Sequence, residues 1–191
     1  MASLVESFIL LLGIIDPLTS LAAFMSLTKG MKDSEKPKVA LKAVMVAAAV
    51  FFIFALSGEG IMAALGVSLE SFKAAGGIIL VLLGVQMSLG ITFPKDKEEI
   101  SEIAVVIGTP LISGPATITT AIILAKESGV PITLIAGGAA LFVTFLALIF
   151  AGTLNRIVGR AGVQIMSTMM GVVTIAWGLQ FVLSGISGFL A

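Results

Sequence analysis

The sequence predicts an all-α membrane protein of six transmembrane helices arranged as a 3+3 inverted repeat, with helices 1 and 4 discontinuous. Three observations carry that expectation. Of 191 residues, 58% are hydrophobic and 12% charged, with a mean hydropathy of +1.18, whereas a soluble domain carries roughly 25% charged residues. The apolar residues gather into six stretches near the length, about 18 residues or more, that spans a bilayer. Two of these stretches are interrupted at mid-depth by Asp16-Pro17-Leu18-Thr19 and Gly114-Pro115-Ala116-Thr117, at corresponding places in the two halves. In lipid, irregular backbone survives only where protein buries it or where it lines a wet cavity. Paired interruptions therefore point to a binding site between them.

The first stretch runs from about Leu4 to Thr28, with Glu6 and Asp16 as its only charges. The second is Val39 to Leu41, Lys42, then Ala43 to Gly58. The third is Ala74 to about Ile91, the fourth Ile103 to Ala125, the fifth about Pro131 to Asn155 and the sixth about Val163 to Leu190. Residues 1–94 form the first three-helix repeat and residues 95–191 the second, inverted one, together making one integrated transmembrane domain. The start of the chain has no basic n-region and no A-x-A-like site, so Met1 to Ile15 reads as mature structure.

Lys and Arg set the orientation. Lys29, Lys32, Lys36, Lys38, Lys42, Lys95, Lys97, Arg156 and Arg160 fall in loops on one side, against only Lys73 and Lys126 on the other. Nine against two places the basic loops in the cytoplasm and both termini outside it. The expected location is the plasma or inner membrane of the cell, with multiple passes.

The halves also align residue by residue. Gly77, Gly84 and Gln86 in the third stretch match Gly171, Gly178 and Gln180 in the sixth, and the odd-numbered repeat unit inverts the second copy. Glycines seven apart lie on one helix face and read first as close-packing seams. Gln86 and Gln180 point away from those seams, as polar contacts in a cavity or between helices.

At the first interruption Pro17 suits the first position of a helix and Asp16 the cap before it. A carboxylate at bilayer depth must face the bundle interior or water, which also makes Asp16 the proton-coupling candidate. At the second, Gly108-Thr109-Pro110-Leu111-Ile112-Ser113-Gly114-Pro115 packs two prolines and two glycines into eight residues. A helix there stops near Gly108 and restarts at Pro115. Helix N-termini bind anions through free amides and the macrodipole. The amides of Leu18, Thr19 and Ser20, and of Ala116 and Thr117 beside Gly114, are expected to hold a substrate carboxylate. Asp16 or a carbonyl of the preceding half-helix then receives an ammonium group. The hydroxyls of Thr19, Ser20, Ser113 and Thr117 either line the site or satisfy carbonyls freed by the prolines. The Gly, Ala, Ser and Thr around both breaks predict a small cavity.

No Cys or His is present, which removes thiolate and imidazole catalysis and the commonest metal ligands. No paired-carboxylate motif lies within the spans, and no nucleotide-binding P-loop pattern occurs. An enzyme, a metal site, a resident cofactor and a nucleic-acid partner are therefore not expected. The lipid bilayer and a small amino acid are the expected partners, and a homo-oligomer stays open. The cluster Lys95-Asp96-Lys97-Glu98-Glu99 reads as a wet loop, Glu59 as a solvated helix end, and Trp177 carries no assigned role.

The residues from Asp16 to Thr28 resemble the first signature of the MarC family, usually Asn-Pro-x-Gly-x-x-Pro-x-Phe-x-x-Leu-Thr. Those from Pro110 to Ile118 resemble its second, Pro-Leu-x-Ala-Gly-Pro-Gly-x-Ile. The resemblance extends over the whole chain, and it implies a transporter of small neutral amino acids, glycine or alanine, coupled to protons, with substrate bound between broken helices 1 and 4. Asp16 stands where the family usually has Asn, Thr19 where it has Gly, Ala22 where it has Pro, Ser113 where it has Ala and Ala116 where it has Gly. These departures bear on substrate size and on whether the coupling ion is a proton or sodium. The competing expectation is a channel or a non-transporting subunit whose glycine seams form a partner interface.

Overall fold

The computed structural model describes residues 3–28, 30–89 and 100–190. Among these residues the secondary structure is helical: α1 (Leu4–Ile15), α2 (Pro17–Leu27), α3 (Lys36–Leu65), α4 (Leu69–Leu89), α5 (Ile100–Val106), a π-helical stretch (Ile107–Ile112), α6 (Pro115–Glu127), α7 (Val130–Ile149) and α8 (Ala151–Leu190). The boundary between the expected repeats, the end of the third stretch and the Lys95–Glu99 loop lie outside the described residues.

Local chemistry explains the helix ends. Ser3 and Glu6 form a reciprocal capping box at α1, with the Glu6 amide donating to Ser3 Oγ at 3.2 Å and the Ser3 amide donating to Glu6 Oε2 at 2.7 Å, which occupies two otherwise orphaned donors. Gly66 ends α3 in the left-handed region at φ 64°, where a residue without Cβ bears no penalty. Pro131 sits in the first turn of α7, where its missing N–H removes no bond. At Gly159 (φ 71°, ψ 173°) the path of α8 breaks.

Among the described residues, five helical segments are long and apolar enough to cross a membrane: Leu4–Leu27, Lys36–Leu65, Leu69–Leu89, Val130–Thr153 and Thr168–Gly188. The pair Ile103–Ile112 and Pro115–Glu127, bent by 52°, makes a sixth when taken as one span. Side chains such as Val5, Leu65, Leu82 and Leu183, each more than 60% exposed, give these helices the apolar outer faces that lipid favours.

The interior is held by close approach. Along α3 the buried residues begin with Val39 and Ala40 and then recur every three or four positions at Ala43, Ala47, Phe51, Ala55, Gly58 and Met62, one stripe of a 3.6-residue period, and pack against α5, α6 and α7. A Cβ on Gly137 of α7 would lie 2.1 Å from the Phe51 ring, so the missing side chain makes room for the ring. Helices α4 and α8 meet through their glycines: a Cβ on Gly77 would lie 2.5 Å from the Gly178 carbonyl oxygen, and one on Gly84 the same distance from that of Gly171. The two seams fill each other within one chain. Small residues let membrane helices gain dispersion contact where lipid offers no hydrophobic drive.

Candidate functional site

The two interruptions are built differently. Asp16 alone forms the first. Its backbone lies at φ 43°, ψ 81°, a left-handed conformation that Asp tolerates because its short side chain bonds locally. Its amide donates to the Leu12 carbonyl at 3.1 Å, completing α1. Its Oδ1 accepts from the amides of Leu18 at 3.1 Å and Thr19 at 3.2 Å, and its Oδ2 accepts from the Thr19 hydroxyl. The Ser20 amide donates to the Asp16 carbonyl at 3.0 Å. This corrects the expectation that the amides of Leu18, Thr19 and Ser20 await a ligand: all three are engaged by Asp16. A cap's side chain reaches the amides two and three positions ahead, and nothing nearer competes for them. A carboxylate offers roughly four lone-pair sites, so about one, on Oδ2, is left over.

The second interruption is longer. The π-helical turns run into Thr109 in an extended conformation (φ −124°, ψ 111°), the Thr109–Pro110 peptide is cis, and α6 restarts at Pro115 after Ser113 and Gly114. No side chain caps α6, and its Ile118 amide donates to the Gly114 carbonyl at 2.9 Å. The preceding amides, of Ala116 and Thr117, sit at the positive end of the helix with no capping side chain.

Apart from that of Thr19, which donates to the Asp16 carboxylate, the hydroxyls at both breaks serve the backbone. Ser20 Oγ donates to the Ile15 carbonyl at 3.2 Å, and Thr117 Oγ1 donates to the Ile112 carbonyl at 2.9 Å. Each ties a carbonyl from before a break to the helix after it, as freed carbonyls in a membrane require. Ser113 Oγ donates to the Ala47 carbonyl of α3 at 2.7 Å.

Asp16, Thr19, Ser20, Gly114, Ala116, Thr117 and Gln180 line one cavity of about 590 Å³. Leu18, Ser113 and Gln86 do not: Leu18 is exposed elsewhere, Ser113 is buried against α3, and Gln86 is half-buried on α4, which contributes Leu80 to the wall. The register explains the split of the glutamines. Gln180 shares a face of α8 with Thr174, Trp177, Phe181 and Ser184, which all line the cavity. That stripe, at positions 174, 177, 181 and 184, was open to a reading by period, and it is what the assignment of Trp177 to no role missed.

The cavity is larger than the composition around the breaks suggests. Ala22 and Ala23 of α2 are fully buried in helix contacts, and Ile9, Leu10, Ile14, Leu111, Trp177 and Phe181 join the small residues of the breaks in the walls. A volume within the range of roughly 300–1,000 Å³ suits a ligand of several functional groups. Among the residues lining it, Asp16 is the one with a formal charge. The site therefore offers one carboxylate, a pair of uncapped helix amides elsewhere on its lining, and a wall that is apolar apart from Thr174, Gln180 and Ser184.

Glu59, expected to be a solvated helix end, is exposed and pairs with Lys126 at 2.8 Å across α3 and α6, a surface contact of little energetic weight.

Residues 1–190 match the profile described as MarC family integral membrane protein. The chain is 35% identical to the UPF0056 membrane protein MJ1677 of Methanocaldococcus jannaschii over 96% of both chains. It is 33% identical to a UPF0056 membrane protein of Archaeoglobus fulgidus over 95% of this chain and 91% of that one. It is also 28% identical to the UPF0056 inner membrane protein YhgN of Escherichia coli over 97% of each. No solved structure matches the chain.

Proposed function

We propose, from the premise that the chain belongs to the MarC family of integral membrane proteins, that it is a secondary transporter of neutral amino acids coupled to protons. The observation that carries the reading is the meeting, in one cavity, of the Asp16 carboxylate and the uncapped start of α6. A zwitterion presents the complementary pair: its carboxylate accepts from the amides of Ala116 and Thr117 at the positive helix end, and its ammonium donates to the remaining site on Asp16 Oδ2. The same oxygen is where a proton would compete, which makes Asp16 the coupling residue of this reading.

The alternation of access is assigned to an inverted repeat of three plus three helices. Its support is the symmetry of the bonding. The α4–α8 seam pairs Gly77 with Gly178 and Gly84 with Gly171. Ser20 and Thr117, one residue out of register with each other, each hold the carbonyl five residues back. Repeats of this kind place the binding site at the repeat interface near the midplane. The orientation with both termini outside a cell membrane rests on the basic loops.

The test is uptake of radiolabelled glycine, alanine and leucine by proteoliposomes under an imposed proton gradient, a sodium gradient, or neither. Saturable uptake that rises with an inward proton gradient supports the reading. Non-saturating flux, or uptake indifferent to both gradients, overturns it in favour of a channel or of no transport.

A further inference from the structure

The cavity is one-sided along the membrane normal. On α1 and α8 its lining runs from the middle of each span toward the end nearer a terminus, from Asp16 out to Leu10 and from Trp177 out through Gln180 to Ser184. The spans end at Leu4 and Gly188, so at the helical rise Leu10 stands about 9 Å and Ser184 about 6 Å inside that face. In the other direction, among the described residues, the lining stops at Ser20 on α2 and Thr174 on α8. Beyond it Phe24 of α2, Met87 of α4 and Ile107 of the π-helical stretch are buried in one cluster, with Met170 of α8 packed against it. The Thr19 hydroxyl meets Met170 Sδ at 3.5 Å where the cavity ends. Helix α2 thus closes on α8, whereas α1 and α8 border the cavity without packing along one another.

The open side is polar as well as exposed. Gln180 and Ser184 are exposed within a membrane span. Ser184 Oγ donates to the Phe181 carbonyl at 3.1 Å, but the Gln180 amide has no hydrogen-bond partner among the described residues. An unsatisfied polar group in hydrocarbon costs several kcal/mol, and polar side chains within spans face the bundle interior or water. An exposed, unpartnered Gln180 fits water and not lipid.

We infer that the gap between the first half of α1 and the last half of α8 is the aqueous mouth of the cavity, and that it opens on the face where both termini lie while the face of the basic loops is sealed. The inference goes beyond the transporter reading and rests on it for one point, that the mouth admits substrate and closes when the opposite side opens. The glycine seam ties α4 to α8, so the two helices move together as the mouth closes, and the contact of Thr19 with Met170 parts as the seal opens.

The chain has no cysteine, so each introduced thiol reports alone. The experiment applies a membrane-impermeant cationic methanethiosulfonate to intact cells and to inverted vesicles holding Leu10→Cys, Ser184→Cys, Leu183→Cys or Ser34→Cys, with labelling after denaturation as the measure of protein present. Leu183 is exposed on α8 but does not line the cavity, and Ser34 is exposed in the loop before α3. A thiol reacts as its thiolate, which lipid suppresses, so Leu10→Cys and Ser184→Cys are expected to label in intact cells at least about tenfold faster than Leu183→Cys. Ser34→Cys is expected to label only in inverted vesicles, and glycine or alanine to slow the reaction of Ser184→Cys. Mouth cysteines no faster than Leu183→Cys, as lipid or a second copy over the gap would make them, overturn the inference, as does labelling that follows the face of Ser34→Cys. Either result beside proton-driven uptake leaves the transporter reading intact. Labelling as expected without uptake in proteoliposomes keeps the mouth and removes the transporter.

Discussion

Gly84 of α4 and Gly171 of α8 stand so close that a Cβ on Gly84 would lie 2.5 Å from the Gly171 carbonyl oxygen and 2.8 Å from the Ile175 amide nitrogen. The obstacle is backbone, which cannot rotate away as a side chain would. Gly84→Ala is expected to destabilise the folded chain by about 1–3 kcal/mol, the usual cost of overpacking, and Gly84→Leu to prevent the α4–α8 seam from forming. Gly13→Ala, into open space, is expected to be neutral or to stabilise by about 0.4–1 kcal/mol. Unfolding of the purified variants in mild detergent, followed by Trp177 emission, compares them. Equal stability of Gly84→Ala and the parent would show that the helices are free to separate.

The role of Asp16 divides between its cap and its charge, and two substitutions part them. Asn keeps both the tolerance of the left-handed region and a side-chain oxygen able to accept from the Leu18 or Thr19 amide, while losing the charge. Asp16→Asn is expected to fold with nearly parental stability and to carry substrate without dependence on a proton gradient. Asp16→Ala removes the cap as well, and is expected to cost about 0.5–2 kcal/mol of stability. Uptake by Asp16→Asn that still tracks the imposed proton gradient would leave Asp16 as a helix cap and nothing more.

The membrane-spanning helices were legible because membrane solvation writes itself into long apolar runs, and the helical segments fall close to where those runs do: a fifth span over Val130–Thr153 for an expected Pro131 to Asn155, a sixth over Thr168–Gly188 for an expected Val163 to Leu190. Helix boundaries do fall at Ile15/Pro17 and Ile112/Pro115, where Asp-Pro and Gly-Pro carry backbone requirements in their chemistry, although Leu4–Leu27 still counts as one span. What the residues could not reveal was where each freed group would turn. Asp16 engages the amides of Leu18 to Ser20 itself, and Ser113 reaches across to Ala47. The cap at Asp16 is local, as Asp-Pro suggested, whereas the Ser113 bond depends on a distance fixed by tertiary packing. The second break also departs from a simple stop and restart. Its π-helical turns at Ile107–Ile112 are shaped by α3, since a Cβ on Gly108 would lie 2.6 Å from the Ala43 carbonyl oxygen.

Ser113 and Thr117 sit four residues apart and divide their work between the scaffold and the cavity. Ser113 is buried and its bond runs to α3, so Ser113→Ala is expected to lower stability by about 0.5–1.5 kcal/mol, the net worth of one hydrogen bond, with KM unmoved. Thr117 lines the cavity and holds the Ile112 carbonyl just before the break. Thr117→Val frees that carbonyl beside the amides assigned to the substrate carboxylate, and KM is expected to rise by about tenfold, equivalent to roughly 1.4 kcal/mol of binding. Steady-state uptake with each variant reads the two parameters. A raised KM in Ser113→Ala would place the α3 contact within the binding site after all.

Gly114 offers the sharpest test of whether the start of α6 must keep its shape. Its backbone, at φ −73° and ψ 178°, is one that any residue adopts, so conformation does not demand glycine. Space does: a Cβ would lie 2.1 Å from the Pro110 carbonyl oxygen. That oxygen belongs to the turn that closes the break, and Gly114 carries the carbonyl that the Ile118 amide meets at 2.9 Å. A methyl group here forces Pro110 away from α6 and tilts the first turn, so the amides of Ala116 and Thr117 lose their aim at the cavity. Misplacement of about 1 Å in a positioning element can cost on the order of 10²-fold in turnover. Gly114→Ala is accordingly expected to insert and fold, as judged by monodisperse elution and helical circular dichroism, yet to lose most of its uptake. Gly152, whose added Cβ would meet nothing within 4 Å, is the control, and Gly152→Ala is expected to carry substrate at the parental rate. If Gly114→Ala transports as well as Gly152→Ala does, the uncapped amides of α6 are not where the substrate carboxylate binds.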